Sequence, residues 1–334
     1  MSIIHGLWLA TPSNVGAASD VWLLLVVAGS IAAAIGIGAL PPRNATGPDR
    51  IPVDRPAWLL VGVLFTSLCV YIFTASLYSA LKYPSAARPG SPSTQPVYSP
   101  VDNAFFSTVP GLLGFVALLA GDRLVRRTTG QRLGVDLQLL PEGLIKGFAG
   151  VLIVVPPLFL LEQGLELTYR AIHYQHPTEH PLLHLLRERP NRVVTTALIV
   201  GACIIAPLFE EFLFRGHLQT ILRRMLFRMG APRTASRPTP GDIVSADSTV
   251  LPGNVLSYAP PQPGPKGWHT WGAIVLTSVI FASVHPAWSQ PIIFVLAICL
   301  GYAYERTGNL WVPITIHAVF NTISTALFLS GLFS

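Results

Sequence analysis

The sequence predicts an all-α fold, a polytopic membrane bundle of about eight transmembrane helices, on three observations. The composition is 51% hydrophobic and only 11% charged, with a mean hydropathy of +0.53, which is not the make-up of a soluble chain. The apolar residues fall in runs of about 20, the length a helix needs to cross a hydrocarbon core of ~30 Å. The basic residues gather in alternate loops, as expected of a multi-pass protein.

The runs lie near residues 21–40, 57–79, 104–121, 143–161, 193–214, 268–285, 288–304 and 311–330. The first has no Lys or Arg before it in residues 1–20 and is too long for the apolar region of a signal peptide, so it reads as a retained helix. The third contains Pro110, and the seventh is short unless residues 287–290 sit at the interface. Pro and Gly within the others are tolerated where neighbouring helices satisfy the freed backbone groups. Cys69, Cys203 and Cys299 all fall inside apolar runs, which suits small core residues and argues against a disulfide framework.

Of 22 Lys and Arg, 16 fall in the alternate loops 41–56, 122–146, 215–267 and 305–310, leaving 6 for the opposite side. The positive-inside rule makes those four loops cytoplasmic and puts both termini outside, in an integral, multi-pass protein of the plasma membrane. Solvated basic loops that orient helices account for the net charge of +6, so nucleic acid is not expected as a partner. The expected partners are the bilayer and a membrane-associated peptide or protein substrate.

Residues 1–192 read as scaffold helices and 193–330 as the region that carries chemistry. His173, His176, His180 and His184 recur at close to a spacing of four. They form an outer metal site or, more simply, the polar face of an interfacial amphipathic helix. Residues 230–267 contain eight prolines and no apolar periodicity, the composition of a flexible cytoplasmic insertion.

The segment "APLFEEFLFRGHL", residues 206–218, puts Glu210, Glu211 and Arg215 in an apolar run. Each ionisable residue there costs roughly 2.5–3.5 kcal/mol on insertion scales, so three together need a reason. Glu211 and Arg215 are i, i+4 and can pair on one helix face. Glu210, about 100° round the helix, is left for another task. "FASVH" puts Phe281 and His285 one helical turn apart, and "HAVFN" does the same for His317 and Asn321.

If the three helices pack together, Glu210, Glu211, His285, His317 and Asn321 line one polar cavity. A carboxylate there can take a proton from water, and an imidazole with an amide can stabilise an oxyanion. The same set offers oxygen and nitrogen ligands to a divalent metal such as zinc, with Glu210, His285 and His317 as candidates. A structural ion pair and interhelical hydrogen-bonding histidines are the bland alternatives for each pair taken alone.

Taken together, "EEFLFRG", "FASVHP" and "LWVPITIHAVFN" resemble the CPBP family, the intramembrane proteases that include type II CAAX prenyl endopeptidases and bacterial Abi proteins. The family pattern, Glu-Glu-x-x-x-Arg, Phe-x-x-x-His and His-x-x-x-Asn on separate helices, is matched in full over about residues 193–329. The resemblance implies a helical membrane fold around a catalytic cavity reached from the cytoplasmic side. It further implies that Glu210 and His285 activate water, Glu211 with Arg215 supports the site, and His317 with Asn321 forms the oxyanion pocket. Metal-dependent and glutamate-based routes are both attributed to the family, and the residues permit either. The long Pro-rich insertion between the first two motifs departs from the pattern.

An intramembrane endopeptidase is therefore expected. A non-proteolytic Abi-like scaffold or immunity protein is the binding-class alternative. A transporter or proton relay is disfavoured because no pseudo-repeat pairs the two halves. The chain contains neither H-E-x-x-H nor a Ser-centred G-x-S-G.

Overall fold

A computed structural model describes residues 57–83, 99–129, 133–174, 191–230 and 267–329. Among the described residues all regular structure is helical and there is no strand. In chain order the helices are α1 (Ala57–Lys82), α2 (Pro100–Thr129), α3 (Leu140–Ala171), α4 (Arg192–Val200), α5 (Ala206–Glu211), α6 (Thr220–Gly230), α7 (Gly267–Ser283), α8 (Gln290–Thr307) and α9 (Trp311–Leu329). Helices α4, α5 and α6 form one rod, joined through the π-helical segments Gly201–Ile205 and Phe212–Gln219.

Five helices among the described residues are long and apolar enough to cross a membrane: Trp58–Lys82, Pro100–Arg127, Leu137–Ala171, Arg192–Phe227 and Ala287–Thr307. This supports an integral membrane protein but not the expected eight spans. The run at 21–40 lies outside the described residues, as do 231–266 and the histidines at 176, 180 and 184. Trp268–Ser283 is apolar but shorter. It stops early because Pro286 disfavours helical geometry in the residue before it. Pro110 does not interrupt α2, which runs through it.

The rod containing α5 has an identifiable reason to widen. Pro207 has no N–H, so the carbonyl four residues earlier, at Cys203, loses its α-helical donor, and the preceding turn relaxes to π geometry. In the second π segment, side chains reach the carbonyls five residues back. His217 Nδ1 lies 3.0 Å from Phe212 O, and Thr220 Oγ1 donates to Arg215 O at 3.4 Å.

The bundle has two differently built ends. At one, Asp102 gathers Tyr78 and Tyr83 hydroxyls, Ser99 and Lys82 between α1 and α2, and Tyr169 donates to Trp288 O at 2.9 Å. At the other, residues 133–136 cross beneath the helices. There Tyr304 donates to Leu133 O at 3.1 Å, Leu310 N to Gly134 O at 3.0 Å, and Trp311 Nε1 to Asp136 O at 3.2 Å. Gly134, at φ 79°, lies so close to Gly308 that a Cβ would sit 2.1 Å from its carbonyl oxygen. Only glycine fits there.

Helix α9 is placed by a glycine face on α3. A Cβ at Gly143 would fall 2.3 Å from Trp311 Cβ, and one at Gly147 would fall 2.4 Å from Thr315 Cβ. Such small-residue faces let membrane helices approach closely. Here they fix the height and rotation of the helix that carries His317.

Candidate active site

Three elements converge at mid-bundle: the α5 rod, the C-terminal end of α7, and α9. Glu211 and Arg215 are both buried, with Arg215 Nε 3.1 Å from Glu211 Oε2. This is a charge contact without hydrogen-bond alignment, since neither atom has an aligned partner among the described residues. Arg215 is held besides by Nη2 donating to Ala297 O on α8 at 3.2 Å, and its guanidinium lies 4.5 Å from the centroid of the Phe281 ring. A buried cation is thus matched by a carboxylate, a carbonyl and a π face.

The other oxygen of Glu211 faces α9. His317 Nδ1 is 2.9 Å from Glu211 Oε1, and because an ionised carboxylate only accepts, Nδ1 carries the proton. The same ring turns Nε2 toward Glu210, 3.8 Å from its Oε2. The two glutamates differ in surroundings as their adjacent positions predict: the side chain of Glu211 is fully buried, whereas that of Glu210 is 26% exposed.

His285 is not on α7, as the spacing predicts, but in the turn that ends it. Its N–H bonds Ala282 O at 3.0 Å, and its Nδ1 lies 2.7 Å from Phe281 O. The carbonyl accepts, so Nδ1–H donates, and in the neutral ring the lone pair is then on Nε2. Gln290 Nε2 secures the turn by donating to His285 O at 3.0 Å. Glu210 lies within electrostatic reach of His317, His285, Glu211 and Arg215.

Asn321 lies one turn beyond His317 on α9, and its Nδ2 donates to Ala202 O in the first π segment at 2.8 Å. The structure therefore joins Glu210, Glu211, Arg215 and His317 directly, brings His285 near Glu210, and ties Asn321 to the rod backbone.

Phe281 was not singled out from the sequence as a site residue, though it contacts three of them. Its ring packs against Arg215, His285 at 4.8 Å and His317 at 6.0 Å. Its place in "FASVH" was the available signal. The carbonyls of Ala202 and Ala297 carry none, since any residue supplies one.

Among the described residues no group of three or more His, Cys, Asp or Glu side chains is gathered so as to hold a metal ion.

Residues 254–323 match the family model described as Type II CAAX prenyl endopeptidase Rce1-like. No curated protein and no solved structure matches the chain. The match begins inside the Pro-rich segment and ends just past Asn321. It takes in His285, His317 and Asn321, while the Glu210, Glu211 and Arg215 they meet lie before it. The stretch that supplies both histidines and the asparagine is thus the part of the chain that is similar to this protease family.

Proposed function

We propose that the protein is an intramembrane endopeptidase that hydrolyses a peptide bond of a membrane-associated peptide or protein, with Glu210 as general base. The observation that carries this is the chain Arg215, Glu211, His317, Glu210, in which a fully buried ion pair orients an imidazole toward a partly exposed carboxylate. Glu210 takes a proton from water as that water attacks the scissile carbonyl. The oxyanion that forms needs donors. The second N–H of the Asn321 amide remains after its bond to Ala202, and His317 supplies another from Nε2 when that nitrogen is protonated. In that state its positive charge also balances Glu210, as Arg215 balances Glu211. His285 Nε2, which faces away from the bond between Nδ1–H and Phe281 O, is suited to take that proton from Glu210 and pass it to the departing amine, which returns Glu210 to its carboxylate form.

Glu210→Gln keeps shape and removes the proton acceptor. Turnover of a quenched fluorogenic membrane peptide by the purified protein should fall on the order of 10²–10⁴, with the unfolding midpoint in detergent unchanged. Unchanged turnover would leave the non-proteolytic scaffold as the better description.

A further inference from the structure

The charge on the two ends of the bundle and the packing around Glu210 together identify the side from which substrate comes. Toward the Leu133 end the site is closed. Phe212, Leu133, Tyr304 and Leu310 are fully buried in one cluster beneath Arg215, and the segment 133–136 is bonded across them. Beyond it, Arg223 pairs with Glu305 at 2.9 Å and Gln219 donates to the same carboxylate at 2.9 Å. Nothing polymeric reaches Glu210 through that stack.

Toward the opposite end the packing opens. Glu210 is one residue nearer that end than Glu211, and helical side chains tilt toward the N-terminus of their own helix, here the same direction. His285, Gln290 and Asn321 are only partly buried, and Val284 and Ala287 beside them are exposed. This is the end of Asp102, Tyr169 and Trp288.

Charge distinguishes the ends as well. With Arg215 set aside, since it is buried in the site, the described Lys and Arg toward the Leu133 end are Arg123, Arg126, Arg127, Lys146, Arg223, Arg224 and Arg306, against Lys82, Arg170 and Arg192 toward the other. By the positive-inside rule the closed end is cytoplasmic.

We infer that Glu210 is reached from the extracytoplasmic face, so that the substrate is an exported or membrane-anchored polypeptide presenting its scissile segment on that side. A prenylated cytoplasmic C-terminus would arrive at the plugged end. The resemblance in sequence implies cytoplasmic entry, and the packing and charge oppose it. The substrate assignment rests on the peptidase reading; the face of access does not.

The test uses the full chain with Cys69, Cys203 and Cys299 replaced by Ser or Ala, in spheroplasts of the expression host. His285→Cys and Gln290→Cys report the open mouth, and the exposed Leu137→Cys reports the other end. The probe is a membrane-impermeant sulfonated methanethiosulfonate. Labelling of both mouth variants in sealed spheroplasts should be at least tenfold faster than that of Leu137→Cys, which should label only after permeabilisation. Gln290→Cys decides alone if His285→Cys does not give a single peak on gel filtration. Mouth variants that label only after permeabilisation, that never label, or that label no faster than Leu137→Cys overturn the inference. In parallel, a quenched fluorogenic decapeptide is offered to the wild type and to Glu210→Gln in detergent. Outward labelling without Glu210-dependent cleavage sinks the peptidase reading and leaves the access face standing. Cleavage with inward labelling does the reverse.

Discussion

His317 Nδ1 lies 2.9 Å from Glu211 Oε1 while Arg215 Nε lies 3.1 Å from Oε2 of the same carboxylate, so Glu211 is the hinge between the buried cation and the imidazole. Glu211→Gln leaves Arg215 without a counter-charge. Breaking a buried pair by removing one partner costs about 3–5 kcal/mol. The variant should show a markedly lower unfolding midpoint, whereas Glu210→Gln should not. Glu211→Gln with Arg215→Met should recover much of that midpoint and little of the turnover, because the amide oxygen can still accept from His317 Nδ1 but no longer brings the negative charge that supports a protonated imidazole. Differential scanning fluorimetry and the peptide assay on the same samples decide this.

Arg215→Lys keeps the charge but should not keep the site. The guanidinium spans three contacts at once, to Glu211, to Ala297 O and to the Phe281 ring. A lysine offers a point charge without the planar fork. Turnover should fall at least tenfold with KM little changed, because Arg215 positions Glu211 and does not touch substrate. A rise in KM alone would assign it to binding instead.

His317→Ala and Asn321→Ala should each lower kcat by about 10²–10³ if both donate to the oxyanion. His317→Asn is the sharper variant, since its amide can still donate to Glu211 from near the Nδ1 position. It should hold the unfolding midpoint and still lose activity. Loss of midpoint equal to that of Glu211→Gln would mean that His317 serves the fold alone.

The site was legible in the sequence where one helix carries both partners, and less so where the meeting depends on packing. Glu211 and Arg215 pair as their i, i+4 spacing predicts. His317 and Asn321 share α9, yet they bond in different directions, one to Glu211 and one to Ala202 O, and spacing says nothing of that. His285 was placed on a helix by the Phe281 spacing, although Pro286 carries the signal that the helix ends first. The π segments had a single cue in Pro207. The closure by Leu133 could not be read at all, because it depends on Tyr304 and Leu310, more than 170 residues away in the chain, arriving at the same end of the bundle.

The Pro-rich segment should be shortened without harm only up to a point. Phe227 and His269, on either side of it, have ring centroids 5.8 Å apart, so α6 and α7 can be joined by a short linker. The family match, however, begins at residue 254. Replacing residues 231–253 with a Gly/Ser linker should leave membrane expression and the unfolding midpoint unchanged, as expected of a stretch without apolar periodicity. Loss of the protein would show that this stretch is structural.

The α3 to α9 contact offers a route to the site from outside it. Gly147→Ala places a methyl 2.4 Å from Thr315 Cβ, a distance that neither backbone can absorb without moving apart. Overpacking of this kind costs about 1–3 kcal/mol. The displaced helix is the one on which His317 stands two residues further along. Turnover should therefore fall together with the midpoint, although Gly147 touches no residue of the hydrolytic set. Thr315→Gly in the same chain removes the clashing Cβ and should restore both, less roughly 1 kcal/mol for a glycine within a helix. Gly164→Ala is the control: it lies on the same helix with nothing within 4 Å of the added methyl, and both readings should stay at wild-type level. If Gly147→Ala lowers the midpoint while turnover holds, the position of α9 does not set the geometry between His317 and Glu210, and the glycine face serves stability alone.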